Sequence, residues 1–284
     1  MTESEWQTSE EPVAMLGWLT RCHFDAGVLS HPGTSWRDRK LRLLACAISR
    51  RRPAFSSDVV EMVEAYAEDP GRWQPQFLEA QQRGYWYASE DPYHAAETLA
   101  QSTAGVKHGA GLLREIVGNP FRPVMLPPAE YLHHDGSEIR STPILSRHRY
   151  ATPTVLSIAH AAYDERPGRK CGQCKGEGSI PAYVGMYRLG SDPCKSCRGL
   201  GTIEDGSLDP VNLAVLSDAL EEAGCTDEAI LRHLRGEEPC PACMDGPLDH
   251  QGELAPDCWG TGWIPLRCPH VRGCWALDLI LGKE

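Results

Sequence analysis

One eight-residue pattern, CxxCxGxG, occurs twice in this chain without a mismatch: Cys171-Gly-Gln-Cys174-Lys-Gly176-Glu-Gly178 and Cys194-Lys-Ser-Cys197-Arg-Gly199-Leu-Gly201. A CxxC hairpin sets two thiols on one side of a tight turn, and two such hairpins supply the four soft ligands of a tetrahedral structural zinc. The nineteen residues between Cys174 and Cys194 fall within the usual separation of paired CxxC zinc sites. Glycines at fixed places after each pair permit left-handed backbone in the knuckle and let amide N–H groups approach the sulfurs. Cys171, Cys174, Cys194 and Cys197 are therefore read as one complete Zn2+ site.

Twelve cysteines are present, and ten of them lie in the last 114 residues. A second group opens with Cys240-Pro-Ala-Cys243, and Cys258-Trp-Gly260-Thr-Gly262 has the form of the second half of another repeat, whose first cysteine would fall at Ala255. Three ligands, Cys240, Cys243 and Cys258, are clear. Cys268 is the expected fourth, with His250 and His270 as alternatives that zinc also accepts. A half-lost knuckle that binds no metal is the competing reading. Residues 1–11 are polar and acidic, without the basic and apolar regions of a secretory signal, and no run of about 18 apolar residues occurs. Cytoplasm is the expected compartment, with no membrane association and with reduced thiols available for metal.

The rest of the chain reads as helices divided by Pro and Gly. Asp58 and Glu61 have capping-box spacing before Val59, Met62, Val63 and Tyr66, and Asp69-Pro70-Gly71 ends that run. Thr152-Pro153 starts a helix carrying Val155, Ile158, Ala159 and Ala162. Asp209-Pro210 starts another with Leu213, Leu216 and Leu220, and Thr226 caps a shorter one with Ile230, Leu231 and Leu234. Residues 36–52, with Leu41, Leu44 and Ile48 inward, and residues 104–117 complete the set, while the Pro-rich stretch 120–143 is expected to be irregular. Strand signals are confined to 182–189, 201–204 and 262–265, beside the cysteine pairs. The fold class expected is mainly α: a helical host (1–167, 206–238 and 269–284) with two zinc-binding β-hairpin insertions, 168–205 and 239–268.

Lys and Arg total 28 against 39 Asp and Glu, a net charge of −11 that argues against general nucleic-acid affinity. Arg37, Arg39, Lys40, Arg42, Arg50, Arg51 and Arg52 form the most basic stretch, read as a solvated helix face. The first insertion is mildly basic (Arg169, Lys170, Lys175, Arg188, Lys195, Arg198) and the second acidic (Asp245, Asp249, Glu253, Asp257). His133-His134-Asp135 falls in the irregular crossing and reads as loop polarity. No GxSxG, HExxH, P-loop or dinucleotide fingerprint occurs, so no enzyme activity is expected. Cys22, Cys46 and Cys225 read as small buried hydrophobes. Trp6, Trp18, Trp36, Trp259, Trp263 and Trp275 are expected to pack, with Trp259 and Trp263 beside a knuckle.

The doubled CxxCxGxG resembles the cysteine-rich zinc-binding region of DnaJ-type co-chaperones over about residues 168–205. That family carries four such repeats, binds two zincs and holds unfolded clients. This chain has only two complete repeats and lacks the His-Pro-Asp signature of a J domain; His31-Pro32-Gly33 has no acid. The resemblance therefore implies a protein or peptide partner, without stimulation of an Hsp70-type ATPase. The remaining segments, including Leu112-Leu-Arg-Glu-Ile-Val-Gly-Asn-Pro120 and His270-Val-Arg-Gly-Cys274-Trp, resemble a helical family duplicated in planctomycete-type bacterial genomes, which has no activity to transfer. In that family's pattern His270 and Cys274 belong to the host, which favours Cys268 as the fourth ligand. Thiol-disulfide chemistry at the CxxC pairs and nucleic-acid binding through the basic insertion are the alternative functions.

Overall fold

A computed structural model describes residues 1–24, 36–51, 57–85, 88–124, 149–165, 168–171, 173–184, 187–194, 199–203, 206–243, 257–258 and 260–283. Among these the chain is mainly helical, with eleven α-helices and three antiparallel two-stranded sheets. No helix among them is long and apolar enough to cross a membrane. His133, His134 and Asp135, together with Trp259 and the side chains of Cys22 and Trp36, lie outside the described residues.

Side-chain caps set most of the helix starts. Thr2 and Glu5 form a capping box on α1 (Glu3–Thr8), and α2 (Pro12–Phe24) follows. Then come α3 (Trp36–Arg50) and α4 (Ser57–Glu68). The Asp69-Pro70-Gly71 stop is also a start: Asp69 accepts a hydrogen bond from Arg72 N, and Pro70 occupies the first turn of α5 (Pro70–Gln82). Asp91 and Pro92 repeat the device for α6 (Pro92–Ala100), and Ser102 caps α7 (Thr103–Val117). Thr152 and Asp209 cap α8 (Pro153–Asp164) and α9 (Pro210–Glu222) as expected. Asp227, rather than Thr226, caps α10 (Glu228–Leu234), because its carboxylate reaches two free amides, Ala229 N and Ile230 N. The tail forms α11 (Trp275–Leu281).

The apolar faces of these helices build two cores. The first takes Trp6, Met15 and Leu16 from α1 and α2, Leu41, Leu44 and Ile48 from α3, and the inner faces of α4 to α7. Trp18 stacks on Phe121 at its edge, 4.8 Å between ring centres. The second collects Val155, Ala159 and Ala162 from α8, Leu213, Leu216 and Leu220 from α9, and the buried sides of α10 and α11. Two cysteine groups, one of Cys171, Cys174 and Cys194 and one of Cys240, Cys243 and Cys258, lie outside both cores. Strand β1 (Arg169–Lys170) pairs with β4 (Thr202–Ile203), β2 (Ser179–Val184) with β3 (Tyr187–Pro193), and β5 (Glu237–Pro239) with β6 (Trp263–Pro265). Residues 182–189, expected as one strand, divide between β2 and β3: alternation alone does not reveal a turn inside a short apolar run.

Among the described residues the basic stretch on α3 is not a solvated face, and the Arg37 side chain and Arg52 lie outside them. Arg39 bonds both Asp278 oxygens (2.7 and 2.9 Å) and Glu68, and Lys40 Nζ donates to Asp278 and to Gly273 O. Arg42 donates to the carbonyls of Ser89 and Glu90, and Arg50 pairs with Glu64 at 2.7 Å. Asp278 is fully buried on α11, so these bonds tie the tail to the first core. Removing one member of a buried charge set strands the others, at a cost of about 3–5 kcal/mol. Asp278→Asn is expected to lower the unfolding free energy by about that amount in a urea titration. Burial alone would raise the Glu68 carboxyl; Arg39, Lys283 and Tyr163 outweigh it and hold the group below its ordinary value of 4.5. The stability Glu68 adds is complete above that ordinary value and is lost as pH falls through the lower folded one. The penalty of Glu68→Gln, measured by urea titration from pH ~7 down to ~3, should therefore shrink towards acid.

Candidate metal centres

In the first repeat pair, Cys171, Cys174 and Cys194 bring their sulfurs within 4.8 Å of one another, all three side chains buried. Cys171 Sγ and Cys194 Sγ are 3.7 Å apart. Tetrahedral zinc with Zn–S bonds of about 2.3 Å separates its sulfurs by about 3.8 Å. Cys197, the fourth expected ligand, lies outside the described residues. The two halves are crossed: Cys171 N donates to Gly201 O and Cys194 N to Gly178 O, each at 2.8 Å. Gly178 N also donates to Cys174 Sγ at 3.2 Å, an amide held towards a ligand sulfur.

The glycine spacing follows from this crossing. Gly178 and Gly201 have φ of 74° and 77°. A Cβ on Gly178 would stand 2.3 Å from Gly199 O, and one on Gly201 2.3 Å from Gly176 O. Only a residue without a side chain lets the two knuckles come this close.

The second group repeats half of this plan. Cys240, Cys243 and Cys258 meet within 4.8 Å, and Cys240 N donates to Gly262 O at 2.8 Å as Cys171 N does to Gly201 O. Gly260 and Gly262 have φ of 77° and 78°, matching Gly199 and Gly201 at 86° and 77°. Cys258 therefore takes the place of Cys197, and Ala255 falls in sequence where Cys194 stands in the first repeat pair. The stems match as well, since β5 and β6 flank this group as β1 and β4 flank the first. Ala255 and His250 lie outside the described residues.

Thiolates are the species metals bind, and both groups favour one. The backbone N–H of Cys174 is the leading cause that lowers the Cys171 thiol to about 7. Cys258 is lowered to about 7 by its contact with Cys243, whose own thiol is raised to about 12. Cys243 Sγ and Cys258 Sγ lie 3.1 Å apart, and no described cysteine forms a disulfide.

Cys268 is not brought to Cys240, Cys243 and Cys258. It is packed in the first helical core, its Cβ 3.0 Å from where a Cβ on Gly111 would stand, with Arg51 Nη2 3.8 Å from its sulfur. Burial pushes its thiol up to about 12. Nine residues of separation admitted a return to the knuckle, but β6 leads the chain away from the metal group towards α7.

His270, the other described alternative, belongs to a third group; the sequence placed His270 and Cys274 in the host pattern and did not single out Glu115 or His233. Glu115 on α7, His233 on α10, His270 and Cys274 place four donor atoms within 4.8 Å of one another, all four residues buried. His270 Nδ1 is 2.9 Å from Glu115 Oε1, and His233 Nε2 is 3.3 Å from Cys274 Sγ and 3.4 Å from Glu115 Oε2. Cys274 Sγ is 3.9 Å from His270 Nδ1. Glu115 Oε2 and His270 Nε2 are buried without a hydrogen-bond partner. The sequence signal was a glutamate set beside the apolar Leu112, Leu113 and Ile116 of one helix.

Comparison with known proteins finds no family model, no curated protein and no solved structure that matches the chain. The geometry itself therefore carries the functional argument. Gly201→Ala, which places a Cβ against Gly176 O, is expected to lower the metal content of the first centre while Cys268→Ala leaves total metal unchanged. Metal analysis of the two folded variants checks both.

Proposed function

We propose that this chain is a non-enzymatic zinc protein that acts by interaction. In this reading, two zinc-held modules (168–205 and 239–268) are set into a helical host and present their surfaces to a protein or peptide partner. The observation that carries it is the convergence of three thiols in each group on backbone crossed by matching knuckle hydrogen bonds. Among the described residues each group has almost no other interior: Ile180 is the one non-cysteine hydrophobic packed on the first, and Ile264 the one on the second. A structural zinc contributes on the order of 10 kcal/mol to such a unit, which is why the metal rather than a core would fold it.

Two features favour a polypeptide partner. Leu200, at the tip of the second knuckle, is 77% exposed, a large apolar side chain offered to solvent. The β2–β3 hairpin pairs with no further strand among the described residues, so its edges remain available for strand addition. The resemblance to the DnaJ-type cysteine-rich region points to the same class of partner, in the cytoplasm. Arg39, Lys40, Arg42 and Arg50 are spent on internal partners, which removes the strongest local argument for nucleic acid.

Metal analysis of protein purified without added zinc tests the first half of the proposal. The expected result is that Cys171→Ser and Cys240→Ser each lose one equivalent relative to the unaltered chain. Zinc near zero, with insulin disulfide reduction by the purified protein, overturns it in favour of thiol redox chemistry. Fluorescence anisotropy with a labelled, permanently unfolded polypeptide tests the second half. Leu200→Ser should keep its zinc and weaken binding roughly tenfold, the scale of one leucine side chain withdrawn from an interface.

A further inference from the structure

A carboxylate, two imidazoles and a thiol meet in the helical interior, and neither cysteine repeat accounts for them. We infer that Glu115, His233, His270 and Cys274 form a further metal site, one that takes zinc or a similarly borderline-soft divalent cation and staples the two helical cores. The site uses none of the module cysteines, so it stands or falls separately from the proposed interaction modules.

The donor set and spacing fit. Zinc accepts carboxylate oxygen, imidazole nitrogen and thiolate sulfur, and bonds of about 2.0–2.3 Å at tetrahedral angles separate neighbouring ligand atoms by about 3.3–3.6 Å. The four measured separations, 2.9, 3.3, 3.4 and 3.9 Å, bracket that range. Glu115 enters these separations through both its oxygens, Oε1 towards His270 and Oε2 towards His233, and one ligand atom from each of the four residues lies within 4.8 Å of the others.

Hydrogen bonding alone serves the group poorly. One N–H on His233 Nε2 faces both Cys274 Sγ and Glu115 Oε2 and cannot serve the two at once. Glu115 Oε2 is left without a well-formed bond, and no Lys or Arg among the described residues pairs with this carboxylate. The charge facing this carboxylate comes from His233 and His270, which are cationic only when protonated. A divalent cation removes the problem: one carboxylate, one thiolate and two neutral imidazoles around it sum to zero charge. With His270 Nδ1 on the metal, Nε2 keeps the ring proton.

Four protein ligands leave no open position, which marks the site as structural rather than catalytic. Its place in the fold says what it would hold. Glu115 projects from α7, beside Leu112 and Ile116 of the first core, whereas Cys274 belongs to the second, and His270 is 155 residues from Glu115. The ion would join α7, α10 and the segment before α11, which are far apart in sequence.

Cadmium-113 NMR of the full, unaltered chain loaded with cadmium is the decisive measurement, because the chemical shift separates thiolate-rich sites from a site with one sulfur. The expected spectrum contains one resonance of the single-sulfur, nitrogen and oxygen class, which persists in Cys171→Ser and disappears in Cys274→Ser. Zinc analysis should show Glu115→Gln, which keeps the shape and hydrogen-bonding reach of the side chain, to have lost one equivalent. A spectrum holding only thiolate-rich resonances overturns the inference. So does a folded Glu115→Gln protein that retains all its zinc, since a hydrogen-bonded cluster without metal tolerates loss of the charge. Should Cys274→Ser fail to fold, the unaltered chain's spectrum still decides. Loss of the thiolate-rich signals with retention of the single-sulfur one would count against the modules and for this site.

Discussion

Asp278 carries a carboxylate with no solvent exposure, and the helical body is arranged to give it partners. Arg39 and Lys40, successive residues of α3, both reach it, and Arg39 extends the set to Glu68 of α4 and Tyr163 of α8. Lys283, just past the end of α11, returns to Glu68 at 2.6 Å. Four helices from both cores thus share one buried charge set. Such a set is a poor source of net stability, because desolvation offsets most of the attraction, but it discriminates sharply between this arrangement and any other. A tail helix docked one turn out of place would bury Asp278 without Arg39. The junction between the cores is therefore specified by polar geometry, while the cores themselves require only apolar residues of suitable size.

The cysteine groups obey a different economy. Their sulfurs fill the place of a core, and the rest of each knuckle is backbone brought so near that side chains are excluded at Gly178 and Gly201. The short stems β1–β4 and β5–β6 set the arriving and departing chain side by side. A unit with adjacent ends asks little of the helices it joins. Its three buried or half-buried thiols could hold a metal ion, whereas the helices are held by apolar burial. The loss of a cysteine at the position of Ala255 changes the ligand count of the second group while its stem and the Cys240 N to Gly262 O bond remain.

The two kinds of construction were unequally legible in the sequence. CxxCxGxG was readable because ligand spacing and glycine placement are local, and the degenerate repeat kept enough of both to align Cys258 with Cys197. The cap and first-turn proline of Thr152-Pro153 and Asp209-Pro210 were readable for the same reason, whereas the same device at Asp69-Pro70 was read only as a helix end and that at Asp91-Pro92 was not read. Residues 182–189 were not, since a short apolar run does not say where it turns. The basic stretch on α3 was misjudged because its partners lie on other elements, Glu64, Glu68, Ser89 and Glu90 nearby in sequence and Asp278 more than two hundred residues away. Cys268 was assigned by nearness along the chain, whereas β6 carries it into the helical interior. Glu115, His233, His270 and Cys274 were legible only as an oddity, a glutamate against an apolar stripe, because three separate elements bring them together.

The tail 266–283 explains why these misreadings cluster. Within this stretch Cys268 packs against α7, His270 and Cys274 meet Glu115 and His233, and Asp278 meets Arg39 and Lys40. Leu208 N donates to His270 O, and Ser207 bridges to Val271, which fixes the segment between the two cores before α11 begins. Cys268, His270, Cys274 and Asp278 each meet a partner distant in sequence, so local pattern predicts little about them. The same dependence constrains the second cysteine group from behind. From its start at Trp263, β6 carries the chain within five residues to Cys268, which packs beside Gly111 of α7 and not with Cys240, Cys243 and Cys258.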